Sequence, residues 1–255
     1  ELLGGDVSVS RLREVDIADL LRREPVKMDT EALGEVLEGR VVMVTGAGGS
    51  IGSELCRQIA RLNPSKLLML GHGENSIFSA LLSLKERFPV LEIVPIIADV
   101  RDKPRIAVVF ERWAPEVIFH TAAHKHVPLM QSNIEEAVTN NILGTQNIVQ
   151  AALDHEVQQL VMISTDKAIR PVNIMGATKR IAEMLVLNAA REYHKAFTVV
   201  RFGNVLGSRG SVVPRFKRQI AAGGPITVTH PEMKRYFMTI PEAVQLVLQA
   251  STLSE

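Results

Sequence analysis

TGAGGSIGSE, Thr45 to Glu54, follows the apolar run RVVMVT (40–45) and decides the fold. A β-rich run, a glycine turn and an amphipathic start stand in that order. Gly46, Gly49 and Gly52 are spaced G-x-x-G-x-x-G. The first permits a tight turn, the second lets backbone approach a phosphate, and the third lets helix and strand pack closely. Ser50 and Ile51 open the helix, where unpaired N–H groups and a partial positive charge meet an anion. The spacing predicts a cradle for the pyrophosphate of a dinucleotide, NAD or NADP. A tight turn without a ligand is the alternative, and placement after the first strand of a repeated pattern weighs against it.

Outward from this loop, short β-rich runs alternate with helical stretches. The runs are KLLML (66–70), EIVPIIA (92–98), VIFHTA (117–122), LVMIS (160–164) and TVVRF (198–202). Helices are expected near 51–62, 75–88, 102–113, 133–154 and 176–194. Continuous apolar strands imply a sheet covered on both faces, and strand–helix alternation implies parallel crossovers. The fold class is therefore α/β, a Rossmann-type doubly wound parallel sheet with a small C-terminal part. Residues 1–39 read as a charged, weakly helical lead-in, 40–202 as the dinucleotide-binding domain, and 203–255 as a substrate-binding part. In that last part a helix near 212–222, a short strand at ITVT (226–229) and a final helix from Pro241 are expected.

The second strand should end in an acid that holds the adenosine ribose. Here Gly71, His72, Gly73 and Glu74 follow it instead. Either Glu74 reaches back, or a 2′-phosphate sits beside His72, so NAD and NADP both stay open. Asp99 and Val100 close the third run, where an adenine edge is often read; a helix cap is the alternative for Asp99.

Composition bounds the rest. Of 255 residues, 46% are apolar and 22% charged, which fits a folded globular chain. Lys plus Arg number 29 against 28 Asp plus Glu, and that balance gives no reason to expect nucleic acid. Cys56 is the single cysteine, which excludes an internal disulfide and fits a reducing, cytoplasmic setting.

HTAAHKHVPLM (120–130), NNILGT (140–145), ISTDKA (163–168) and NIMGATK (173–179) occur in this order. With these motifs the chain resembles the extended short-chain dehydrogenase/reductases, and more narrowly the CapD-like polysaccharide-biosynthesis proteins, nucleotide-sugar 4,6-dehydratases. The resemblance runs from about residue 8 to the end. It implies conversion of UDP-N-acetylglucosamine to a 4-keto-6-deoxy sugar with a tightly held NAD(P). It also implies a homo-oligomer, and an upstream transmembrane region outside this chain that would anchor a cytoplasmic domain. Carried over position by position, Ala122 and Ala123 line the nicotinamide side, and Asn141 packs beneath the active site. Lys179 bonds the nicotinamide ribose, and Lys125 and His126 sit near the sugar. His124 and His126 stand two apart like a metal-ligand pair, but no third ligand is evident and no metal is expected.

Most relatives in the wider superfamily carry Tyr-x-x-x-Lys, and Met175 stands here in the tyrosine's place four residues before Lys179. A thioether cannot take a proton. Either the chain is a non-catalytic NAD(P)-binding module, or another base serves. The replacement is typical of the larger, membrane-linked dehydratases, which favours the second. A 4-epimerase is disfavoured because that chemistry normally depends on the tyrosine. Lys167 is then the candidate base for the sugar C5 proton, Asp166 the acid for the C6 oxygen, and Thr165 a partner for the C4 hydroxyl. Both assignments need burial to lower the lysine's pKa and raise the aspartate's, against their mutual attraction. They also need the strand to have ended by Asp166. A surface Asp–Lys pair is the alternative.

For the nucleotide half, Asn204 can bond a diphosphate, and Ser208 precedes a helix start able to bind anion. Arg209, Arg215 and Arg235 are phosphate candidates or solvated charges, and Thr227 matches the family's uracil-side segment.

Overall fold

A computed structural model describes residues 30–208 and 210–253. Its centre is a six-stranded parallel sheet in the order β3-β2-β1-β4-β5-β6, with β1 Val41–Thr45, β2 Lys66–Gly71, β3 Ile93–Ile97, β4 Val117–His120, β5 Gln159–Thr165 and β6 Ala196–Phe202. The order reverses between β1 and β4, which opens a crevice at the carboxyl ends of those strands.

The alternation inside each strand explains why the runs read as continuously apolar. Val42, Val44, Leu67, Met69, Val117 and Phe119 point to one face. Met43, Leu68, Leu70, Ile118, Leu160 and Met162 point to the other. Helices cover both. The first face meets α1 (Thr30–Leu37) through Leu33 and Leu37, α2 (Ser50–Ile59) through Leu55, Cys56 and Ile59, α3 (Glu74–Arg87), and α10 (Ile240–Ser251) through Val244, Val247 and Leu248. Burial pushes the Cys56 thiol pKa up, so it packs as a small hydrophobe. The second face meets α4 (Lys103–Trp113), α7 (Gly144–Asp154) and α8 (Ile174–Glu192). Asp102 caps α4 by accepting from the Arg105 amide, and Asn173 caps α8 by accepting from Gly176.

The expected helix 133–154 is built in pieces. It comprises α6 (Ile134–Val138), a π turn at Thr139–Leu143 and α7, with a separate short α5 (Val127–Ser132) ahead of it. The wider turn places Asn140 and Asn141 inward, 5% and 0% exposed, consistent with π turns marking functional positions. The expected strand at 226–229 does not form. Its residues are exposed, and Thr227 bonds Arg215 and Gln219 of α9 (Val212–Ala221) rather than another backbone. Pairing goes elsewhere: β7 (Asn204–Val205) runs parallel to β8 (Phe237–Met238). Of the lead-in, residues 1–29 lie outside the described part, while α1 packs into the core.

Candidate active site

The site is built where β1, β4, β5 and β6 end. After β1, Gly46 adopts φ +67 and turns the chain into α2. A Cβ on Gly46 would lie 2.8 Å from the Thr121 hydroxyl and 2.9 Å from the Ala122 nitrogen, so this turn abuts the loop after β4. A Cβ on Gly52 would lie 2.8 Å from the Gly46 carbonyl carbon and 2.9 Å from the Ala47 Cα. Gly49 caps α2 with no side-chain hydrogen bond. The turn thus leads straight into the amino end of α2, and a helix start of this kind supplies the amide donors a pyrophosphate needs. The residues present fit a dinucleotide.

Around this cradle the remaining cofactor candidates take distinct positions. His72 and Glu74 are exposed beyond β2. Asp99 does not cap α4; it is held by Arg101, whose guanidinium also bridges to Glu136. That pairing holds the Asp99 carboxyl below its ordinary value, although burial works the other way. Val100 is buried and packs against Gly144. Asn141 accepts from the His124 amide at 2.8 Å and donates to the His124 carbonyl at 3.1 Å and the Thr178 hydroxyl at 3.1 Å. It therefore fixes the loop carrying Ala122 and Ala123.

β5 ends at Thr165, and Asp166–Ala168 forms a 3-10 turn. The strand has thus ended by Asp166, as expected. Lys167 Nζ donates to Asp166 Oδ1 at 2.9 Å and to Asn204 Oδ1 at 3.3 Å. The Thr165 hydroxyl donates to the same Asp166 oxygen at 3.0 Å. Gly203 lets the β6–β7 link pass close by, since a Cβ there would stand 3.5 Å from Asp166 Oδ2. The structure thus brings Thr165, Asp166, Lys167 and Asn204 together.

Electrostatics differs here from the sequence expectation. Burial raises the Asp166 pKa, but the Lys167 and Thr165 hydrogen bonds and the ammonium charge outweigh it and hold the carboxyl low. The pair is about one-third exposed, so desolvation is incomplete and attraction wins.

Met175 is 3% exposed and packs with Met130 and Ala137. Its side chain fills an apolar cluster. One turn on, Lys179 is 5% exposed and its ammonium donates to the Ile163 carbonyl at 2.7 Å. Burial lowers its pKa to about 8, with Glu183 opposing. Lys125 donates to the Ser208 hydroxyl at 3.4 Å, and His126 packs on Gly210. Burial lowers the pKa of both Lys125 and His126. Arg215 bonds Thr227 at 3.0 Å, whereas Arg235 is exposed and donates to the Lys234 carbonyl. Arg209 lies outside the described residues. Among the described residues no group of three His, Cys, Asp or Glu is placed to hold a metal ion, and no helix is long and apolar enough to cross a membrane.

Sequence reasoning missed two buried groups. His120 ends β4 with both ring nitrogens bonded, to Thr45 at 2.7 Å and Thr145 at 3.0 Å. Glu183, 0% exposed, takes hydrogen bonds from Ser164, Arg180 and Arg201. A polar residue inside an apolar run was the available signal for each.

A sequence profile described as polysaccharide biosynthesis protein matches residues 42–255. The chain belongs to that family. Its resemblance to the CapD-like members, drawn above from four motifs, is borne out by a 54% identity over 257 residues to the capsular polysaccharide biosynthesis protein CapD of Staphylococcus aureus, covering 100% of this chain and 43% of that protein. Two further relatives are 34% identical over 218 residues. One is an inverting UDP-N-acetylglucosamine 4,6-dehydratase of Campylobacter jejuni, covering 84% of this chain and 64% of the relative. The other is a UDP-glucose 4-epimerase of Rickettsia rickettsii, covering 83% and 62%. The chain spans less than two thirds of the length of these polysaccharide-biosynthesis relatives.

Proposed function

We propose that this chain is the NAD(P)-binding catalytic domain of a UDP-N-acetylglucosamine 4,6-dehydratase acting in surface-glycan biosynthesis. The observation that carries the reading is the Asp166–Lys167 pair, seated at the carboxyl end of β5 beside Asn204. With its pyrophosphate held in the glycine cradle, a bound NAD(P) would supply a hydride acceptor that later returns the hydride. The chain's residues handle the protons. Lys167 takes the C5 proton once oxidation at C4 has made it acidic, and Asp166 delivers a proton to the departing C6 oxygen. On this reading Thr165 bonds the C4 oxygen and Lys179 holds the cofactor's ribose. Lys125, His126, Asn204, Ser208 and Arg215 are assigned to the sugar and nucleotide.

The present ion pair leaves Asp166 ionised. The sugar must therefore enter between the two groups and exclude water, turning burial into the dominant influence on both. Met175 serves as packing on this reading, and the buried Lys179 keeps a cation near the cofactor. An epimerase reading draws on the relative of that name, but it lacks a tyrosine at position 175 to shuttle the C4 proton.

The test is incubation of the purified chain with NAD(P) and UDP-N-acetylglucosamine, followed by mass spectrometry for loss of water and NMR for the configuration at C4. A product one water lighter is expected. A product of unchanged mass with inverted C4 supports the epimerase, and intact sugar beside stably bound cofactor contradicts both.

A further inference from the structure

Four fully buried polar side chains join the glycine turn to the loop across from it. Thr45, His120, Asn141 and Thr145 are each 0–1% exposed. Register puts Thr45 directly beside His120 at the ends of β1 and β4. The hydrogen-bond directions can be followed from one end. The Thr145 hydroxyl donates its one proton to the Asn141 backbone carbonyl, one helical turn back, at 2.7 Å. Its lone pair must then accept from His120 Nε2–H, 3.0 Å away. Nδ1 is left as an acceptor, so the Thr45 hydroxyl donates to it at 2.7 Å. Thr45 Oγ1 in turn accepts the amide of Ala122 at 3.4 Å and shares that of Thr121, at 3.2 Å, with the Thr45 backbone carbonyl. At the far end, Asn141 holds the amide and carbonyl of His124.

One imidazole therefore orients the Thr45 clamp directly and, through Thr145, braces the helical segment that carries the Asn141 clamp; the loop 121–124 held by these clamps forms the wall against which Gly46 is packed. We propose that His120, as a neutral Nε2–H tautomer, is a positioning residue that sets the separation between the pyrophosphate turn and the Ala122–Ala123 wall. This rests on the dinucleotide reading above. Both walls belong to the cofactor crevice, whereas Asp166 and Lys167 stand in the turn after β5, so His120 acts on binding of the dinucleotide rather than on proton transfer.

Substitution separates its two arms. His120→Asn keeps a short-reach acceptor for Thr45, and His120→Gln keeps a longer-reach donor for Thr145. His120→Phe keeps ring volume and loses both. Thr145→Val, a milder change at the relay's far side, serves if the phenylalanine variant folds poorly. Hydrogen–deuterium exchange of the Thr121 and Ala122 amides is measured without cofactor, and NAD(P) affinity by titration calorimetry. We expect at least tenfold faster exchange at the Ala122 amide, with Thr121 still held by the Thr45 backbone carbonyl, and at least tenfold weaker dinucleotide binding in His120→Phe, both largely restored in His120→Asn. Thr145→Val should show the same changes to a smaller degree. Exchange and affinity unchanged in His120→Phe or Thr145→Val would overturn the assignment. So would loss that Asn and Gln fail to relieve, since that marks a purely packing role. Failure of the unaltered chain to bind either dinucleotide would instead overturn the cofactor reading, while the exchange rates still judge His120.

Discussion

Lys167 Nζ lies 2.9 Å from the Oδ1 of Asp166, its immediate neighbour in the chain. Adjacent residues can meet this way because β5 stops at Thr165 and the 3-10 turn swings both side chains to one side. Replacing the lysine isolates its part in the chemistry. Lys167→Ala should lower product formation by about 10²–10⁴-fold, the range for a lost general acid or base, with dinucleotide affinity unchanged. Lys167→Arg should be nearly as damaging, because a guanidinium cannot give up its proton near neutrality. Steady-state rates with calorimetric cofactor affinity check both.

Gly52 packs on the carbonyl end of Gly46, and a Cβ has no room there. Gly52→Ala should cost about 1–3 kcal/mol through overpacking. It should also widen the turn enough to reduce dinucleotide affinity by more than tenfold. Urea unfolding and a binding titration measure the two effects separately. A destabilised protein that binds normally would mean the turn is structural only.

Glu183 ties α8 to β5 and β6 through Ser164, Arg180 and Arg201. Burial raises its pKa, but these hydrogen bonds dominate and hold it low. Removing the carboxylate with Glu183→Ala leaves three donors without their partner. Arg180 and Arg201 stay partly in water, 44% and 33% exposed, so we expect a loss of about 1–3 kcal/mol rather than the full cost of an isolated buried charge. Glu183→Gln should lose less. Chemical denaturation of the two variants ranks them.

Burial, with the nearby Lys179 ammonium, lowers the His120 pKa to about 3. In the unfolded chain the imidazole titrates near its ordinary value of about 6.5. Between these values the unfolded state binds the proton and the folded state does not. Stability is therefore fullest above about pH 6.5 and falls as pH drops, by up to about 1.4 kcal/mol per unit. His126, also lowered, adds in the same direction, and comparison with His120→Asn subtracts it. Denaturation at pH 7, 6 and 5 should show a shallower slope in the variant.

Much of the sheet was legible because its strands carry apolar residues on both faces, so Val42 to Val44 and Leu67 to Leu70 form unbroken runs. Glycine spacing gave the turn for a similar reason: the constraint is local. What escaped depended on distant partners. Thr45 and His120 stand 75 residues apart in sequence, and nothing near either one announces the bond. ITVT carried a strand-like pattern but no adjacent strand, while the plainer pair Asn204–Val205 and Phe237–Met238 found each other. The ion pair at Asp166 was visible as two adjacent letters. Its exposure, which decides its protonation, depends on how β6 and β7 pass beside it.

The central claim is that hydride leaves sugar C4 and returns to C6 within one active site. UDP-N-acetylglucosamine deuterated at C4 tests this most directly, with the position of the label read by NMR in the product. The account predicts a 4-keto product carrying the deuterium on its C6 methyl group. A dehydrated product whose methyl group lacks the label, or a label retained at C4 of an epimer, would contradict it.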